Sequence, residues 1–238
     1  MSDYQQMTAE EYGVYYARFQ GKEPGKIILD SKVNVRDRVV LDLCAGPGYV
    51  GAVAAGMGAS QVYAADVVDF LDKRTRSVFV ERSPLKLKWE YVDPDQALFY
   101  RHINNLPIDR SLERTFEVIF CRQAINYWFA KDRMQALARC MREDGVFVFN
   151  TFVTAPPASP LVKSYAIGER DYVEVAYTEN GLVHHVQAVS GMKPHITSFR
   201  YIPLAEFESV LPSVFEDVTC ILDERGSSAT YICEGVKE

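Results

Sequence analysis

The residues best able to bind a charged cofactor lie in the run VVLDLCAGPGY at 39–49. Apolar and β-branched residues precede the glycines, as is typical of a buried strand, and the glycines allow a tight turn and a close approach of the backbone to a ligand. A helix that begins near Tyr49 then directs its unpaired N–H groups at the same place. The run therefore predicts a strand, a binding loop and a helix.

Two cofactors compete for this loop. Residues 46–51 satisfy G-x-G-x-x-G, and Asp66 ends a second predicted strand about twenty residues later, as a dinucleotide site requires. A pyrophosphate needs backbone donors and no nearby anion, whereas Pro47 removes one donor and Asp42 places a carboxylate at the mouth of the first strand. That acid suits an ammonium group, and Asp66 can accept ribose hydroxyls. S-adenosylmethionine carries both groups, so it is favoured over NAD.

The segment 41–48 resembles the first motif of class I S-adenosylmethionine-dependent methyltransferases, and Asp66 matches the family's ribose-binding acid. The similarity spans roughly residues 35–155 and includes a loop at 104–108, a strand at 116–120, a helix at 132–143 that Gly145 ends as a C-cap, and a strand at 146–150. The resemblance implies an α/β fold with a Rossmann-like seven-stranded sheet, mostly parallel, with an antiparallel C-terminal hairpin and helices on both faces. It also implies methyl transfer to a small molecule.

The resemblance further implies which residues contact the cofactor. They follow the predicted strands of the sheet, except for one residue on a leading helix, predicted over 8–19, that would lie over the methionine end of the cofactor. The cofactor-binding candidates are Asp42, Cys44, Ala45, Gly46, Gly48, Asp66, Val67, Ile103, Asn104, Arg122, Gln123 and Tyr16.

Two segments compete for the third strand. Residues 85–93 alternate polar and apolar side chains at a suitable distance from Asp66, whereas residues 97–103 precede a loop similar to that of the family. We favour the second segment. In that register His102 stands where the family has an acid that binds the adenine amino group, so Ile103 or Asn104 would make this contact instead.

The chain is predicted to form a single domain, because 238 residues support one α/β core and barely two. Residues 1–34 form an N-terminal helical cap, 35–155 the cofactor-binding core, 165–203 an antiparallel β lid inserted after the fifth strand, and 204–238 a closing helix and hairpin. The lid is predicted to have strands at 172–177, 182–190 and 195–202. A helix at 204–211 and hairpin strands at 215–222 and 229–233 follow.

Methyl transfer from a sulfonium is a displacement in which the protein mainly aligns the reactants, an effect that can supply roughly 7–11 kcal/mol. A base helps when the acceptor must lose a proton. The catalytic candidates are Tyr127, His184, His185 and His195, and the substrate-binding candidates are Tyr12, Tyr127 and Arg200. His184 and His185 are adjacent on a predicted strand and point to opposite faces, so at most one of them looks into the site. The alternative for each histidine is a structural role.

The composition favours a cytoplasmic protein with a small-molecule substrate. The net charge is −6, whereas nucleic-acid binding normally requires a basic patch. No export signal is recognisable, and no run of about eighteen apolar residues predicts a membrane span. The five cysteines are too scattered for a disulfide framework or a metal site, so no metal is expected. A homo-oligomer is compatible with the sequence.

The sequence leaves the methyl acceptor open among oxygen, nitrogen and carbon nucleophiles. The run QAINYW at 123–128 lacks the Asn/Asp-Pro-Pro-aromatic pattern of methyltransferases that modify the exocyclic amines of nucleobases. Two other functions also stay open: an NAD-binding oxidoreductase, and a protein that binds S-adenosylmethionine without transferring its methyl group.

Overall fold

The structure is a computed structural model that describes residues 11, 14, 15, 25–46, 48–67 and 112–237, together with the backbone of 98–102. The candidates Tyr12, Tyr16, Ile103 and Asn104 lie outside the described residues, as do the loop at 104–108 and the strand alternative at 85–93. Residues 11, 14 and 15 are helical, in agreement with the helix predicted over 8–19.

Helices and strands are mixed in the described chain as far as the fifth strand, and the later part of the described chain is mainly β-structure. In chain order the elements are α1 (Lys26–Ser31), β1 (Val39–Leu43), α2 (Tyr49–Gly56), β2 (Gln61–Asp66), β3 (Leu98–His102), β4 (Phe116–Cys121), α3 (Lys131–Cys140), β5 (Met141–Phe152), β6 (Leu161–Ile167), β7 (Arg170–Glu179), β8 (Leu182–Val189), β9 (His195–Arg200), α4 (Leu204–Val210), β10 (Phe215–Leu222) and β11 (Ser228–Val236). None of the helices in the described ranges has the length and apolar character needed to span a bilayer.

Among the described residues, the larger sheet has seven strands in the order β10-β11-β5-β4-β1-β2-β3. The strands from β5 to β3 in this order are parallel, β11 is antiparallel to β5, and β10 is antiparallel to β11. The predicted sheet and closing hairpin are therefore confirmed. β3 pairs with β2 and places His102 opposite Asp66, which confirms the favoured alternative for the third strand. The carboxyl ends of the parallel strands form one edge, where open α/β sheets bind their ligands.

Two apolar layers cover the sheet, which explains why its central strands are apolar on both faces. Val40 and Val118 face one layer, to which α1 and α2 contribute. Their chain neighbours Leu41 and Ile119 face the other layer, to which α3 and α4 contribute. The side-chain period of two in a strand sends successive residues to opposite layers. The predicted helices on both faces are confirmed.

The helix predicted over 132–143, with Gly145 as its C-cap, ends earlier, so this part of the prediction is wrong. α3 ends at Cys140, and Met141 already has extended backbone angles of φ −88° and ψ 153°. Met141 is buried and pairs with β4, so the sheet and not the helix covers its side chain. Gly145 lies inside β5, where a Cβ atom would stand 2.8 Å from the carbonyl oxygen of Arg142.

A second sheet lies between β5 and α4 in the chain and has four antiparallel strands in the order β6-β7-β8-β9. This confirms an antiparallel insertion after the fifth strand, but the sequence predicts only three of its strands and misses β6. β6 is an edge strand whose side chains are mostly exposed. Its sequence therefore lacks the apolar and polar alternation that marks a half-buried strand.

Candidate active site

The loop between β1 and α2 turns at the carboxyl edge of the sheet through three left-handed residues. Cys44, Gly46 and Gly48 have φ angles of 56°, 53° and 83°. Glycine adopts this region freely, whereas the same conformation is strained at Cys44. The N–H of Ala45 donates to the carbonyl of Ala65 at 3.1 Å, which ties the loop to the end of β2.

Asp42 is buried against the first turn of α2 and caps this helix from the neighbouring strand. Asp42 is only 1% exposed, and its Oδ2 accepts a 2.8 Å hydrogen bond from the N–H of Gly51. The N-cap residue Gly48 supplies no side-chain acceptor, so Asp42 satisfies a donor that the helix leaves unpaired. The sequence predicts that Asp42 meets an ammonium group at the mouth of the strand. In the structure the carboxyl group holds the loop and the helix together.

Burial raises the pKa of Asp42 to about 7, against the lowering effect of the hydrogen bond from Gly51. The negative charge of Asp66 adds to the rise, and the positive charge of Arg122 opposes it. The carboxyl group therefore changes its protonation state near neutral pH. A cation bound close by would favour its ionised form, and a bound phosphate would favour its neutral form.

Asp66, the last residue of β2, holds the loop from the other side. Its Oδ2 accepts a 2.7 Å hydrogen bond from the N–H of Gly46. The two acids thus each bind one backbone N–H of the segment 46–51. The structure brings together a group of the predicted cofactor residues, namely Asp42, Cys44, Ala45, Gly46, Gly48, Asp66 and the adjoining Val67.

Cys44 contacts a second thiol at the end of the neighbouring strand β4. A hydrogen bond with Cys121 raises the pKa of the Cys44 thiol well above its ordinary value, and burial acts in the same direction. A protonated thiol is a weak nucleophile, so Cys44 contributes to the wall of the loop and not to the chemistry. Neither thiol belongs to a group of three or more potential metal ligands among the described residues.

The segment after β4 turns away from the sheet directly beyond Arg122. Gln123 is left-handed, with φ 56°, and its N–H donates to Asn150 Oδ1 at 2.7 Å. The ring of Tyr127 packs edge-on against Phe199 of β9, with the ring centroids 5.1 Å apart. The predicted catalytic residue Tyr127 therefore lies where the carboxyl edge of the main sheet meets the insertion.

One face of the insertion, here called the inner face, is buried although it carries polar side chains. Paired residues of antiparallel strands share a face, so the pairs Glu174–Gln187 and Gln187–His195 lie on the same side. These three side chains are at most 6% exposed. Thr197, two residues beyond His195, is also buried and pairs with His185. Burying polar groups costs free energy unless they are bonded, so this face is suited to hydrogen-bonding contacts.

The insertion separates the three candidate histidines. His184 lies on its outer face, where Nδ1 is 2.9 Å from Ser198 Oγ. His185 lies on the inner face, because adjacent strand residues point to opposite sides. His195 is on the inner face as well, and its ring packs against Tyr15 with a centroid distance of 5.2 Å.

Residues 14 and 15 of the N-terminal helix dock on the inner face. Gln187 Nε2 donates to the carbonyl of Tyr15 at 3.2 Å, and the hydroxyl of Tyr172 donates to the carbonyl of Val14 at 3.0 Å. The hydroxyl of Tyr15 donates to the carbonyl of Lys193. The far end of the inner face is therefore covered by Val14 and Tyr15, and its near end approaches Tyr127.

Arg200, a predicted substrate contact, lies on the outer face of the insertion. Its guanidinium forms a bidentate ion pair with Glu206, with distances of 2.9 and 2.6 Å. The structure therefore does not bring Arg200 together with the inner-face residues.

Sequence reasoning missed several polar residues at this site. Glu174 and Gln187 each stand between apolar neighbours in a strand, and Asn150 follows a strongly apolar run. A polar residue inside an apolar strand signals a bonded buried position, and one at its carboxyl end signals the binding edge. Tyr15 gave no such signal, because it lies among other aromatic residues.

Comparison with known proteins identifies the fold. No family model and no curated protein matches the sequence. Similar solved structures include an S-adenosylmethionine-dependent methyltransferase from Clostridium acetobutylicum, at 17% identity and a TM-score of 0.64, with 94% of this chain and 97% of that chain covered. CalS10, an amino pentose methyltransferase from Micromonospora echinaspora solved with S-adenosylmethionine, has 12% identity, a TM-score of 0.65 and the same coverages, 94% and 97%.

A third similar structure is the 1,6-didemethyltoxoflavin-N1-methyltransferase of Burkholderia thailandensis, solved with S-adenosylhomocysteine. It has 12% identity and a TM-score of 0.53, with 96% of this chain and 87% of that chain covered. At such identities a match establishes the fold and leaves the activity to be argued from the site. This chain has the fold of class I S-adenosylmethionine-dependent methyltransferases.

Proposed function

We propose that this protein transfers the methyl group of S-adenosylmethionine to a small-molecule acceptor. The observation that carries the proposal is the pair of carboxyl groups, Asp42 and Asp66, that hold the glycine loop at the carboxyl edge of the sheet. The antiparallel strands β10 and β11 favour this function over an NAD-binding oxidoreductase, because a dinucleotide-binding sheet is mostly parallel.

The charges around the loop fit a cationic cofactor. Two acids lie at the loop, so a pyrophosphate placed here would lie beside like charges and would keep Asp42, whose pKa burial raises to about 7, in its neutral form. S-adenosylmethionine, when bound, supplies a methyl group on a positively charged sulfonium leaving group. Asp66 would accept its ribose hydroxyls, and residues 44–48 would face its amino-acid tail.

Asp42 would act on that tail through its charge and through the loop that it holds. Arg122 and Gln123 would border the cofactor from β4. Contacts by Ile103, Asn104 and Tyr16 stay predictions, because these residues lie outside the described ranges.

The protein's part in the reaction is to align the acceptor and to exclude water. Tyr127 and Phe199 form an aromatic corner between the main sheet and the insertion, and the inner face continues this wall with His185 and Thr197. Holding two reactants in line in such an enclosed site can supply most of the acceleration that a displacement requires.

Of the three histidines, we favour His185 as the base. It shares the inner face with Phe199, which contacts Tyr127. His195 lies four residues along β9 from Phe199, roughly 14 Å at strand rise, and is covered by Tyr15. His184 lies on the other face.

Nitrogen is the first acceptor atom to test. Two of the similar structures are an amino pentose methyltransferase and a 1,6-didemethyltoxoflavin-N1-methyltransferase. Acceptors with oxygen or carbon nucleophiles are tested beside the amines, and their rates of methyl transfer are compared. The cytoplasmic location, the possible homo-oligomer and the lack of a nucleic-acid partner stay predictions.

Calorimetry with S-adenosylhomocysteine and NADH tests the cofactor. We expect binding of the thioether and none of NADH, and the reverse result would overturn the proposal. Turnover is then measured as formation of S-adenosylhomocysteine with matched pairs of amines and alcohols, such as glucosamine and glucose. Cofactor binding without turnover across a broad acceptor panel would assign the chain to proteins that bind S-adenosylmethionine without transferring its methyl group.

Once an acceptor is known, substitution of the histidines tests the base. His185→Ala should slow transfer roughly 100-fold or more, as expected for loss of a general base, while His184→Ala leaves it unchanged. Both variants should retain their affinity for S-adenosylhomocysteine. Equal rates for the two variants would exclude His185 from this role.

A further inference from the structure

Gln123 occupies a backbone conformation that its side chain disfavours. Its φ of 56° lies in the left-handed region, which residues with a Cβ atom adopt rarely. Such conformations persist only where the surrounding structure holds them, and they cluster at functional sites. Gln123 follows the carboxyl end of β4 and therefore lies on the edge that carries the glycine loop.

Asn150 supplies the contact that holds Gln123. The parallel ladder between β4 and β5 ends at the pair Cys121–Phe149, and Asn150 is the next residue of β5. Its side-chain Oδ1 accepts the N–H of Gln123 at 2.7 Å. A side-chain oxygen thus replaces the backbone carbonyl that a continuing strand would offer, and the chain leaves the sheet at this point.

A second bond fixes the same segment three residues later. The hydroxyl of Thr151 donates to Asn126 Oδ1 at 3.3 Å, and both side chains are buried. Tyr127 comes next and packs on Phe199. Two consecutive residues of β5 therefore hold the turn that runs from the cofactor side of the site to the acceptor side.

We propose that Asn150 is a positioning residue of the cofactor site. It holds the backbone of Gln123 in its left-handed conformation, and it thereby fixes the position of Arg122 and Gln123 beside the cofactor. The inference rests on the proposed function, since it assigns these residues to binding S-adenosylmethionine. Asn150 itself need not touch the cofactor, because its amide oxygen is used by the N–H of Gln123.

Two nearly isosteric substitutions separate the hydrogen bond from the space that the side chain fills. Asn150→Leu removes the acceptor, whereas Asn150→Asp keeps an oxygen for the N–H of Gln123. Thr230→Val, at the position paired with Asn150 on β11, is the matched control for a change at this place in the sheet. The dissociation constant of S-adenosylhomocysteine is measured by calorimetry, and amide hydrogen exchange of the segment 122–127 is followed without ligand.

We expect Asn150→Leu to raise the dissociation constant of S-adenosylhomocysteine about tenfold, which is the value of one hydrogen bond between neutral groups. The same substitution should speed amide hydrogen exchange at Gln123. Asn150→Asp should stay within threefold of the wild type, and Thr230→Val within twofold. If Asn150→Leu melts too low to be assayed, Asn150→Ala replaces it. Wild-type affinity in the acceptor-free variants, or equal losses in the Leu and Asp variants, would overturn the inference. Failure of the wild-type protein to bind the thioether would instead refute the proposed function.

Discussion

The loop after β1 and the segment after β4 both leave the carboxyl edge of the sheet through left-handed residues, Cys44 in the first and Gln123 in the second. They differ in what holds them. Carboxyl groups hold the first loop, through bonds from Asp42 and Asp66 to backbone N–H groups. An amide and a hydroxyl group hold the second segment.

The two sets of tethers differ in charge, so the two segments differ in their response to pH. Asp42 makes the first loop responsive to pH, because burial raises the pKa of its carboxyl group to about 7. Neutral tethers make the second segment indifferent to pH and leave its geometry constant.

The largest expected effect concerns the stability of the unliganded protein and its pH dependence. The pKa of Asp42 is about 7 in the folded chain against 3.8 in the reference state. Between these values the folded chain keeps a proton that the unfolded chain releases, so stability is lost as the pH rises from about 4 to about 7. The full shift corresponds to up to about 4 kcal/mol. Asp42→Asn keeps an oxygen for Gly51 and should remove this dependence.

Urea unfolding of both proteins at several pH values between 4 and 8 measures the difference between them. Other titrating groups are common to the two proteins and cancel in that difference. Parallel pH profiles would show that Asp42 titrates normally and would remove the distinction between the two loops.

The next effect concerns cofactor affinity. Asp66→Ala removes the tether of Gly46 and the proposed partner of the ribose, so binding of S-adenosylhomocysteine should weaken by roughly 1.5–3 kcal/mol, the value of a charge-assisted hydrogen bond. Calorimetry measures the dissociation constant of S-adenosylhomocysteine, and Asp217→Ala, at an exposed position of β10, is the control. An unchanged dissociation constant in Asp66→Ala would contradict the assignment of this acid.

A smaller effect is expected where the second segment loses its neutral tether. Thr151→Val leaves Asn126 Oδ1 buried without this donor, which costs about 2 kcal/mol of unfolding free energy. The loss should be the same at pH 5 and pH 8, in contrast to the behaviour of Asp42. Thr219→Val at an exposed position serves as the control. A loss that changes between the two pH values would break the comparison of the loops.

The smallest effect tests the strain at Gln123. Glycine adopts a φ of 56° without a Cβ clash, so Gln123→Gly should be more stable than Gln123→Ala by about 1 kcal/mol. Thermal or urea unfolding compares the two variants, which both lack the glutamine side chain. Equal stability would mean that the left-handed conformation is not maintained in solution.

Much of the fold follows from local patterns. The apolar runs before Asp42 and before Asp66, the glycines at 46 and 48, and the paired strands at the C-terminus all predict elements that the structure contains. Local patterns gave wrong or missing elements where the pairing of strands decides whether a segment joins the sheet. The end of α3 was misjudged because Met141 suits a helix and a strand equally well, and β6 was missed because an exposed edge strand lacks the expected alternation.

The sequence predicted only part of the arrangement of the candidate site, for the same reason. The acids and glycines of the loop between β1 and α2 lie within one strand–loop–helix unit and its neighbour, so their spacing predicts that they meet. Asn150, Gln187 and Tyr15 act on residues far away in the chain: Gln123 and Asn150 are 27 positions apart, and Tyr15 and Gln187 are 172 apart. No spacing rule connects such residues.

Local sequence patterns were enough to predict the strand before Asp42, the glycine loop with its two acids and the closing hairpin, because hydrophobic period and glycine turns act over a few residues. The parallel order of the sheet was predicted from the family resemblance. Tertiary packing was needed to show that burial raises the pKa of Asp42, that His185 and not His184 lies on the inner face of the insertion, and that Asn150 holds Gln123. Desolvation, the identity of the covered face and long-range hydrogen bonds depend on which elements pack together, and that is a property of the folded chain.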